Sequence, residues 1–337
     1  MSPLSRRGFL QFSVAAAVAS TAACSSDEPE ISPDKRFPPG SFGASATAEA
    51  VTEGVNLSGK TALVTGCNSG LGYETLAVLA RRGVHVIGTG RTLEKAQQAC
   101  ASVGGKTTPL ALELADFQSA VDCADAVKGM GVQLDMVIAN AGINAFGELI
   151  LVDGIERTFR VNHLGHFVLV NHLLPLMNPQ GGRIVHVGSR SAYKQAPPAG
   201  IVFDSLNGDV VLESGEYYGQ SKLANALFSL QLSKQLAGSG VTSNVIHPGL
   251  VQTNIARNAP AVIRKGFEWV GPLIAKTPAE GAATQVYVAA NPEVAGVNGA
   301  YFEDCNPVTV NGPNHVFDEP MAQKLWQVST QMTNGYV

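Results

Sequence analysis

Residues 61–72 read Thr61-Ala-Leu-Val-Thr-Gly-Cys-Asn-Ser-Gly-Leu-Gly72, a short apolar run that leads into a glycine-rich turn. Glycines let the backbone come close to a pyrophosphate, and a helix that begins in the turn offers free N–H groups and the positive end of its dipole. We therefore predict that this stretch is a strand–turn–helix unit that binds a nucleotide. The predicted cofactor contacts in the turn are Gly66, Asn68, Ser69, Gly70, Leu71 and Gly72.

From Lys60 onward, short apolar runs alternate with stretches of helical spacing. This alternation predicts a parallel sheet with helices on both faces. The predicted strands are 61–65, 85–89, 107–112, 134–140, 183–189, 242–247 and 299–302. The predicted helices are 73–82, 93–103, 117–129, 155–177, 217–236, 279–290 and 321–332, the last with Leu325 and Trp326 facing inward. The predicted fold class is α/β, a single domain in three layers around a doubly wound parallel sheet.

The composition is that of a large folded domain. The chain has 337 residues, of which 45% are hydrophobic, so there is ample material for a core. The formal net charge is −4 and the basic residues are not clustered, so nucleic-acid binding is not expected. The five cysteines are scattered, and His163 and His166 share a helix face without a third ligand. No metal site and no disulfide framework are predicted.

The first 24 residues have the pattern of an export signal. Arg6-Arg7 precedes an apolar run at 14–23 that is too short and too weakly apolar to span a bilayer. We interpret 1–24 as a twin-arginine signal peptide. Thr21-Ala-Ala-Cys24 is similar to a bacterial lipoprotein cleavage box, with Cys24 as the lipidated residue, although Thr21 stands where leucine is usual. Cleavage of an Ala-x-Ala site to give a soluble exported form is the alternative.

Residues 25–40 are rich in proline, serine and charge, which is typical of a disordered tether. The folded domain is therefore expected to comprise 41–337. A signal peptide and a tether together predict a protein exported to the periplasmic side of a bacterial cell envelope, with a lipid anchor at Cys24.

A second motif, Tyr218-Gly-Gln-Ser-Lys222, lies in a predicted helix. Residues four apart share a helix face, so the ammonium of Lys222 is expected beside the phenol of Tyr218. A nearby cation favours phenolate and would lower the pKa of the tyrosine. Tyr218 is thus a candidate proton donor or acceptor near neutral pH, and Ser189 lies upstream at the end of a predicted strand.

The end of the second predicted strand bears on cofactor choice. An acidic residue there would bind the ribose 2′-hydroxyl of NAD, but the sequence is Thr89-Gly-Arg-Thr92, without a carboxylate. Arg91 could pair with a 2′-phosphate, which favours NADP over NAD. An exposed arginine at a helix start is the alternative interpretation.

With these motifs in place, the chain resembles the short-chain dehydrogenase/reductase family from about Ser58 to Gln331. Four motifs occur in the family's order. They are Thr65–Gly72, Asn140-Ala141-Gly142, Ser189 with Tyr218 and Lys222, and Pro248-Gly249. The stretches 159–167, 203–207 and 218–225 are similar to the retinol-dehydrogenase-like branch.

The resemblance implies a Rossmann-type sheet and a catalytic tetrad. The tetrad would consist of Asn162, Ser189, Tyr218 and Lys222. Tyr218 would move the proton, Ser189 would bond the substrate oxygen, and Lys222 would bind the nicotinamide ribose. Asn162 would hold a relay water. The implied cofactor contacts are Asn140, Ala141 and Gly142 on the adenine-ribose side, and Tyr218, Lys222, Pro248, Gly249, Val251 and Thr253 on the nicotinamide side. Glu113 stands where the family usually has an aspartate near the adenine.

The expected function is an NAD(P)-dependent oxidoreductase that transfers a hydride between nicotinamide and an alcohol, aldehyde or ketone. Apolar residues between Asn254 and Lys276 suggest a lid over a lipophilic substrate, unless that face packs on the core or on a partner subunit. Two alternatives remain: an epimerase or lyase on the same scaffold, and a non-catalytic nucleotide sensor. The family also often forms oligomers through helices such as 155–177 and 217–236.

Overall fold

The computed structural model describes residues 28–145, 149–251 and 275–337. The strands are β1 Glu30–Pro33, β2 Thr61–Val64, β3 His85–Gly90, β4 Thr107–Ala111, β5 Met136–Ala139, β6 Leu151–Val152, β7 Ile155–Glu156, β8 Arg183–Val187, β9 Thr242–His247, β10 Tyr301–Glu303 and β11 Asn306–Asn311. The helices are α1 Gly70–Arg81, α2 Leu93–Ala101, α3 Phe117–Gly129, α4 Arg157–Phe159, α5 Gly165–Leu173, α6 Ser191–Lys194, α7 Ser214–Gln235, α8 Pro278–Ala290 and α9 Glu319–Met332. A π-helical turn, Arg160–Leu164, joins α4 to α5.

The main sheet has the strand order β1-β11-β10-β9-β8-β5-β2-β3-β4. All its pairs from β10 to β4 are parallel. The chain winds outward from β2 in one direction and from β5 in the other, so the switch point lies between these two strands. One apolar layer packs α3, α5, α7 and α9 on one face, and another packs α1, α2 and α8 on the opposite face. The predicted three-layer, doubly wound single domain is confirmed.

The N-terminal boundary of the folded part differs from the prediction. Residues 25–40 were expected to be a disordered tether, but β1 lies within them and pairs antiparallel with β11. Asp34 also accepts hydrogen bonds from the backbone and side chain of Arg36. The composition signal was wrong here because β1 needs few apolar residues of its own: the backbone of β11 supplies its partners.

The predicted helix 155–177 is also corrected. Its first two residues are β7, which forms a hairpin with β6 through Asp153 and Gly154, both with positive φ (47° and 75°). The carboxylate of Glu156 then accepts hydrogen bonds from the Thr158 and Phe159 N–H groups and begins the helix. Asp-Gly between apolar residues is a strong hairpin signal, and here it prevails over the helical periodicity of the residues that follow.

Strand β11 was missed as well. It returns from β10 through Asp304 and Cys305, which have φ of 51° and 63°. Two-residue hairpin turns of this kind usually contain glycine, so the sequence carries no turn signal there.

The C-terminal helix packs as predicted, with Leu325 buried and Trp326 against the rings of Phe167 and Phe228 (centroid distances 5.0 and 5.6 Å). Since α9 lies against α5 and α7, an interface between copies that used these two helices would have to include α9. Within the described ranges, no helix is long and apolar enough to cross a membrane.

Candidate active site

The glycine-rich turn forms a tight cradle at the carboxyl end of β2. Gly66 and Gly70 have φ of 72° and 57°, which favour glycine. A Cβ on Gly72 would lie 2.3 Å from the carbonyl oxygen of Gly66, so no other residue fits there. The first turn of α1 receives no side-chain cap from Ser69, which leaves its N–H groups available to an anion. These features fit the pyrophosphate of a dinucleotide.

The loop after β5 braces this cradle. The Asn140 side chain donates to the Thr65 carbonyl at 2.8 Å, and the Asn140 and Ala141 N–H groups both donate to the Thr65 hydroxyl at 2.9 Å. A Cβ on Gly142 would lie 3.2 Å from Asn162 Oδ1 and 3.5 Å from Lys222 Nζ. The absence of a side chain at Gly142 keeps the space between the two predicted catalytic residues open.

The other predicted cofactor residues lie around the same edge of the sheet. Arg91 is exposed directly after β3, and it makes no hydrogen bond or ion pair with any residue that the structure describes. Val251 is buried, and its side chain and that of Leu71 both pack against Gly281, where a Cβ would collide with them. Pro248 and Gly249 follow β9 directly and are partly buried. Thr253 and most of the predicted lid, 254–274, lie outside the described residues.

Three elements bring the four predicted catalytic residues together. Tyr218 and Lys222 lie on α7, with Lys222 Nζ 5.7 Å from the centre of the Tyr218 ring. Ser189 follows β8 and lies beside Tyr218; its hydroxyl donates to Ser191 Oγ at 3.2 Å. Asn162 lies in the π-helical turn and donates from Nδ2 to Ser221 Oγ at 3.0 Å; that hydroxyl in turn donates to the Tyr218 carbonyl.

Lys222 is buried and held. Its ammonium donates to the Val187 carbonyl at 2.9 Å, an acceptor that it shares with the side-chain amide of Asn225. Burial lowers the pKa of Lys222 to about 8, because the low-dielectric surroundings penalise its charge. The ammonium is therefore still mostly protonated at neutral pH.

Tyr218 differs from the expectation that its pKa would be lowered. Burial raises the pKa of Tyr218 to about 12, and the neighbouring hydroxyl of Ser189 only partly opposes this. The ammonium of Lys222 donates to the Val187 carbonyl, and its Nζ lies 5.7 Å from the centre of the Tyr218 ring. In the protein chain by itself, Tyr218 is a neutral phenol at physiological pH.

Two further buried residues support the site and were not predicted to do so. Ser221 is fully buried and links Asn162 to the backbone of α7, and Asn225 joins Lys222 at the Val187 carbonyl. Both follow Tyr218 at helical spacings of three and seven, which places them on its face of α7. That spacing was the signal that could have identified them.

Among the residues that the structure describes, no three His, Cys, Asp or Glu side chains form a group that could hold a metal ion. The four cysteines in that part of the chain, Cys67, Cys100, Cys123 and Cys305, are free and buried.

The fold and this arrangement define a class of protein. The family described as short chain dehydrogenase matches residues 60–262, and the chain belongs to this family of oxidoreductases. Human retinol dehydrogenase 14 is 37% identical over 296 residues, which cover 82% of this chain and 87% of that protein. Mouse polyprenol dehydrogenase is 35% identical, with 82% of this chain and 84% of that protein covered.

Solved structures of similar proteins have the same fold. An uncharacterised protein from Mycobacterium paratuberculosis superposes with a TM-score of 0.67 at 30% identity, covering 85% of this chain and 97% of that one. A short chain dehydrogenase from Burkholderia cenocepacia, solved in complex with NADP, superposes with a TM-score of 0.59 at 27% identity, covering 73% and 96%.

Proposed function

We propose that this protein uses NADP(H) to interconvert the alcohol and carbonyl forms of a small lipophilic molecule, with Tyr218 as the acid–base. The observation that carries the proposal is the convergence of Tyr218, Lys222, Ser189 and Asn162 beside a glycine cradle. A bound nicotinamide would supply or accept the hydride, and the backbone of residues 66–72 would hold the pyrophosphate.

Side chains of the protein itself would orient the substrate oxygen and transfer the proton. The hydroxyl of Ser189 lies beside Tyr218, so a carbonyl oxygen that accepts hydrogen bonds from both groups would be held where the phenol can protonate it. A phenol with a pKa of about 12 is ready to donate in the reductive direction. In the oxidative direction it must first lose its proton, and the nearby ammonium of Lys222 favours that loss.

The lipophilic substrate is supported by two points. Relatives are named for retinol and polyprenol, both apolar alcohols. The segment between Val251 and Lys276 is rich in apolar residues, and its ends meet, since the Lys276 N–H donates to the Leu250 carbonyl at 2.7 Å. A lid is one use of such a segment; packing on the core or on a second subunit is the alternative.

The test is a panel of alcohols, aldehydes and ketones, from short polar to long apolar, assayed with purified protein for net oxidation or reduction of NADP(H). We expect turnover that rises with apolar chain length. An epimerase or lyase would convert its substrate without net change in the nucleotide, and a sensor would bind nucleotide without turnover. Either result would contradict the proposal.

Replacing Arg91 with alanine is expected to weaken NADPH binding about 10-fold and leave NADH binding unchanged, because a charge-assisted bond to the 2′-phosphate is lost. Fluorescence titration of both nucleotides measures the ratio. Arg81→Ala is the matched control: Arg81 is also on the surface, but it pairs with Glu49 and should not affect either affinity. An unchanged NADPH/NADH ratio in Arg91→Ala would exclude Arg91 as the phosphate ligand.

We also propose that the protein is exported by a twin-arginine signal and anchored through Cys24, on the residues of the N-terminal stretch alone. Fractionation of cells that produce the full chain should place it in the envelope, and Cys24→Ala should release it from the membrane into the periplasmic fraction. Recovery of the unprocessed chain from the cytosol would contradict the proposal.

A further inference from the structure

A buried histidine connects the nucleotide cradle to the turn that carries Asn162. His166 lies at the start of α5 and is only 2% exposed. Its Nε2 is 2.9 Å from the hydroxyl of Thr65, and its Nδ1 is 3.0 Å from the carbonyl oxygen of Asn162. Neither the nucleotide motif nor the catalytic motif contains this residue.

The direction of each hydrogen bond follows from counting protons. A threonine hydroxyl has two lone pairs and one proton. The Asn140 and Ala141 N–H groups both donate to Thr65 Oγ1, so its lone pairs are used and its proton points to His166 Nε2. With Nε2 as an acceptor, Nδ1 carries the proton and donates to Asn162.

His166 is therefore the neutral Nδ1–H tautomer. This agrees with its pKa, which is lowered to about 4, mainly because burial penalises the charged ring; the bond to Asn162 raises it and the charge of Lys222 lowers it further. An imidazolium could not accept the Thr65 proton, so protonation would break the connection.

Both polar atoms of the Asn162 side chain make hydrogen bonds. Its Oδ1 accepts from the Ile143 N–H at 2.8 Å, and its Nδ2 donates to the Ile143 carbonyl at 2.9 Å and to Ser221. The bond from His166 holds the backbone carbonyl in addition. Four hydrogen bonds thus set the position of Asn162, and the one from His166 connects Asn162 to the nucleotide cradle.

We propose that His166 is a positioning residue: in its Nδ1–H form it holds the Asn162 carbonyl in register with Thr65, and so aligns the catalytic tetrad with the nucleotide turn. The inference rests on the proposed function, since Asn162 is assigned to the tetrad there. It predicts that the two nitrogens of the ring have separable roles.

Two substitutions separate them. The amide nitrogen of asparagine reaches the position of Nδ1, whereas glutamine reaches that of Nε2. His166→Asn keeps a donor for the Asn162 carbonyl, and His166→Gln loses it. We expect kcat on a confirmed substrate to be about 10-fold lower in His166→Gln than in His166→Asn, with KM for that substrate little changed.

The matched control is His163→Gln. His163 is as buried as His166 and bonds Ser329 of α9 at 2.7 Å, outside the connection between Thr65 and Asn162. This variant should lose thermal stability and keep its kcat within about twofold. Equal kcat in the two His166 variants would overturn the proposal, because a merely structural histidine would not distinguish them.

A spectroscopic measurement shows which ring nitrogen of His166 is protonated, and it needs no turnover. Nitrogen NMR of the nucleotide-free wild type at about pH 7.5 should show His166 with Nδ1 protonated and Nε2 unprotonated, its signals assigned by their loss in His166→Gln. A protonated Nε2 would overturn the proposal even if the variants failed to fold. A wild type that turns over no substrate would contradict the proposed function instead, and the tautomer would still be read.

Discussion

Replacing Tyr218 with phenylalanine is expected to lower kcat about 10³-fold, the usual size of a lost general acid–base contribution. Phenylalanine keeps the ring and its packing, so nucleotide affinity should stay within about threefold of that of the wild type. Among the described residues, the other hydroxyl of the proposed tetrad is that of Ser189, which is a much weaker acid than a phenol and is not expected to replace the proposed proton donor. Steady-state kinetics on the best substrate of the panel and nucleotide titration measure the two effects.

The matched control is the preceding residue. Tyr217 is also buried on α7, and its hydroxyl accepts a hydrogen bond from the Leu212 N–H at 3.0 Å. Tyr217→Phe should cost stability through that bond and leave kcat nearly unchanged. Full turnover in Tyr218→Phe would remove Tyr218 from the mechanism.

The second large effect is loss of stability in acid. Burial lowers the pKa of four histidines far below the ordinary value of 6.5: His166 to about 4, and His163, His186 and His247 to about 3. Their neutral forms are preferred in the folded state, whereas the unfolded chain takes up protons near pH 6.5. Stability is therefore full above about pH 6.5 and is lost as the pH falls from there toward 3–4.

At pH 5 each histidine is expected to cost about 2 kcal/mol, and the four together about 8 kcal/mol, which is comparable with the whole stability of a domain. Glu156 has the opposite effect on stability in acid, since burial raises its pKa, but it is one group against four histidines. Urea unfolding at pH 7.5, 6 and 5 measures the free energy of unfolding. We expect a steep fall between pH 6.5 and 5.

His186→Phe tests the cause. His186 packs against the ring of Phe228 and its buried Nε2 has no hydrogen-bond partner among the described residues, so phenylalanine suits the site. The free energy of unfolding of the variant should decrease less steeply with falling pH than that of the wild type. At pH 5 the variant should be more stable than the wild type by about 2 kcal/mol. A wild-type stability that is flat from pH 7.5 to 5 would show that these histidines are not held neutral.

Much of the fold could be predicted because local signals and tertiary packing agree. The helix Phe117–Gly129 and the strand Thr242–His247 have the predicted bounds, and both lie in the regular alternation of the central sheet. The edge of the sheet was predicted less well. β1 and β11 are held by pairing with a distant or returning partner, and nothing within their own residues indicates that partner.

The site divides in a similar way. Gly66, Tyr218 and Lys222 could be proposed from spacing, because a glycine turn and a helix face are local properties. The pKa of Tyr218 could not be predicted from spacing, because it depends on how atoms of other elements surround the phenol. The motif suggested a cation beside the ring, whereas the fold directs that cation to the Val187 carbonyl.

The sequence by itself determined the alternation of strands and helices in the parallel part of the main sheet, the glycine cradle at residues 66–72 and the identity of the residues that face each other along α7. Only the tertiary structure decided what lies between the motifs. Thr65, Asn162 and His166 come together because the turn after β2 and the π turn before α5 meet at one edge of the sheet. A hydrogen bond that spans 101 positions of the chain leaves no local pattern, because its geometry comes from packing, not from neighbouring residues.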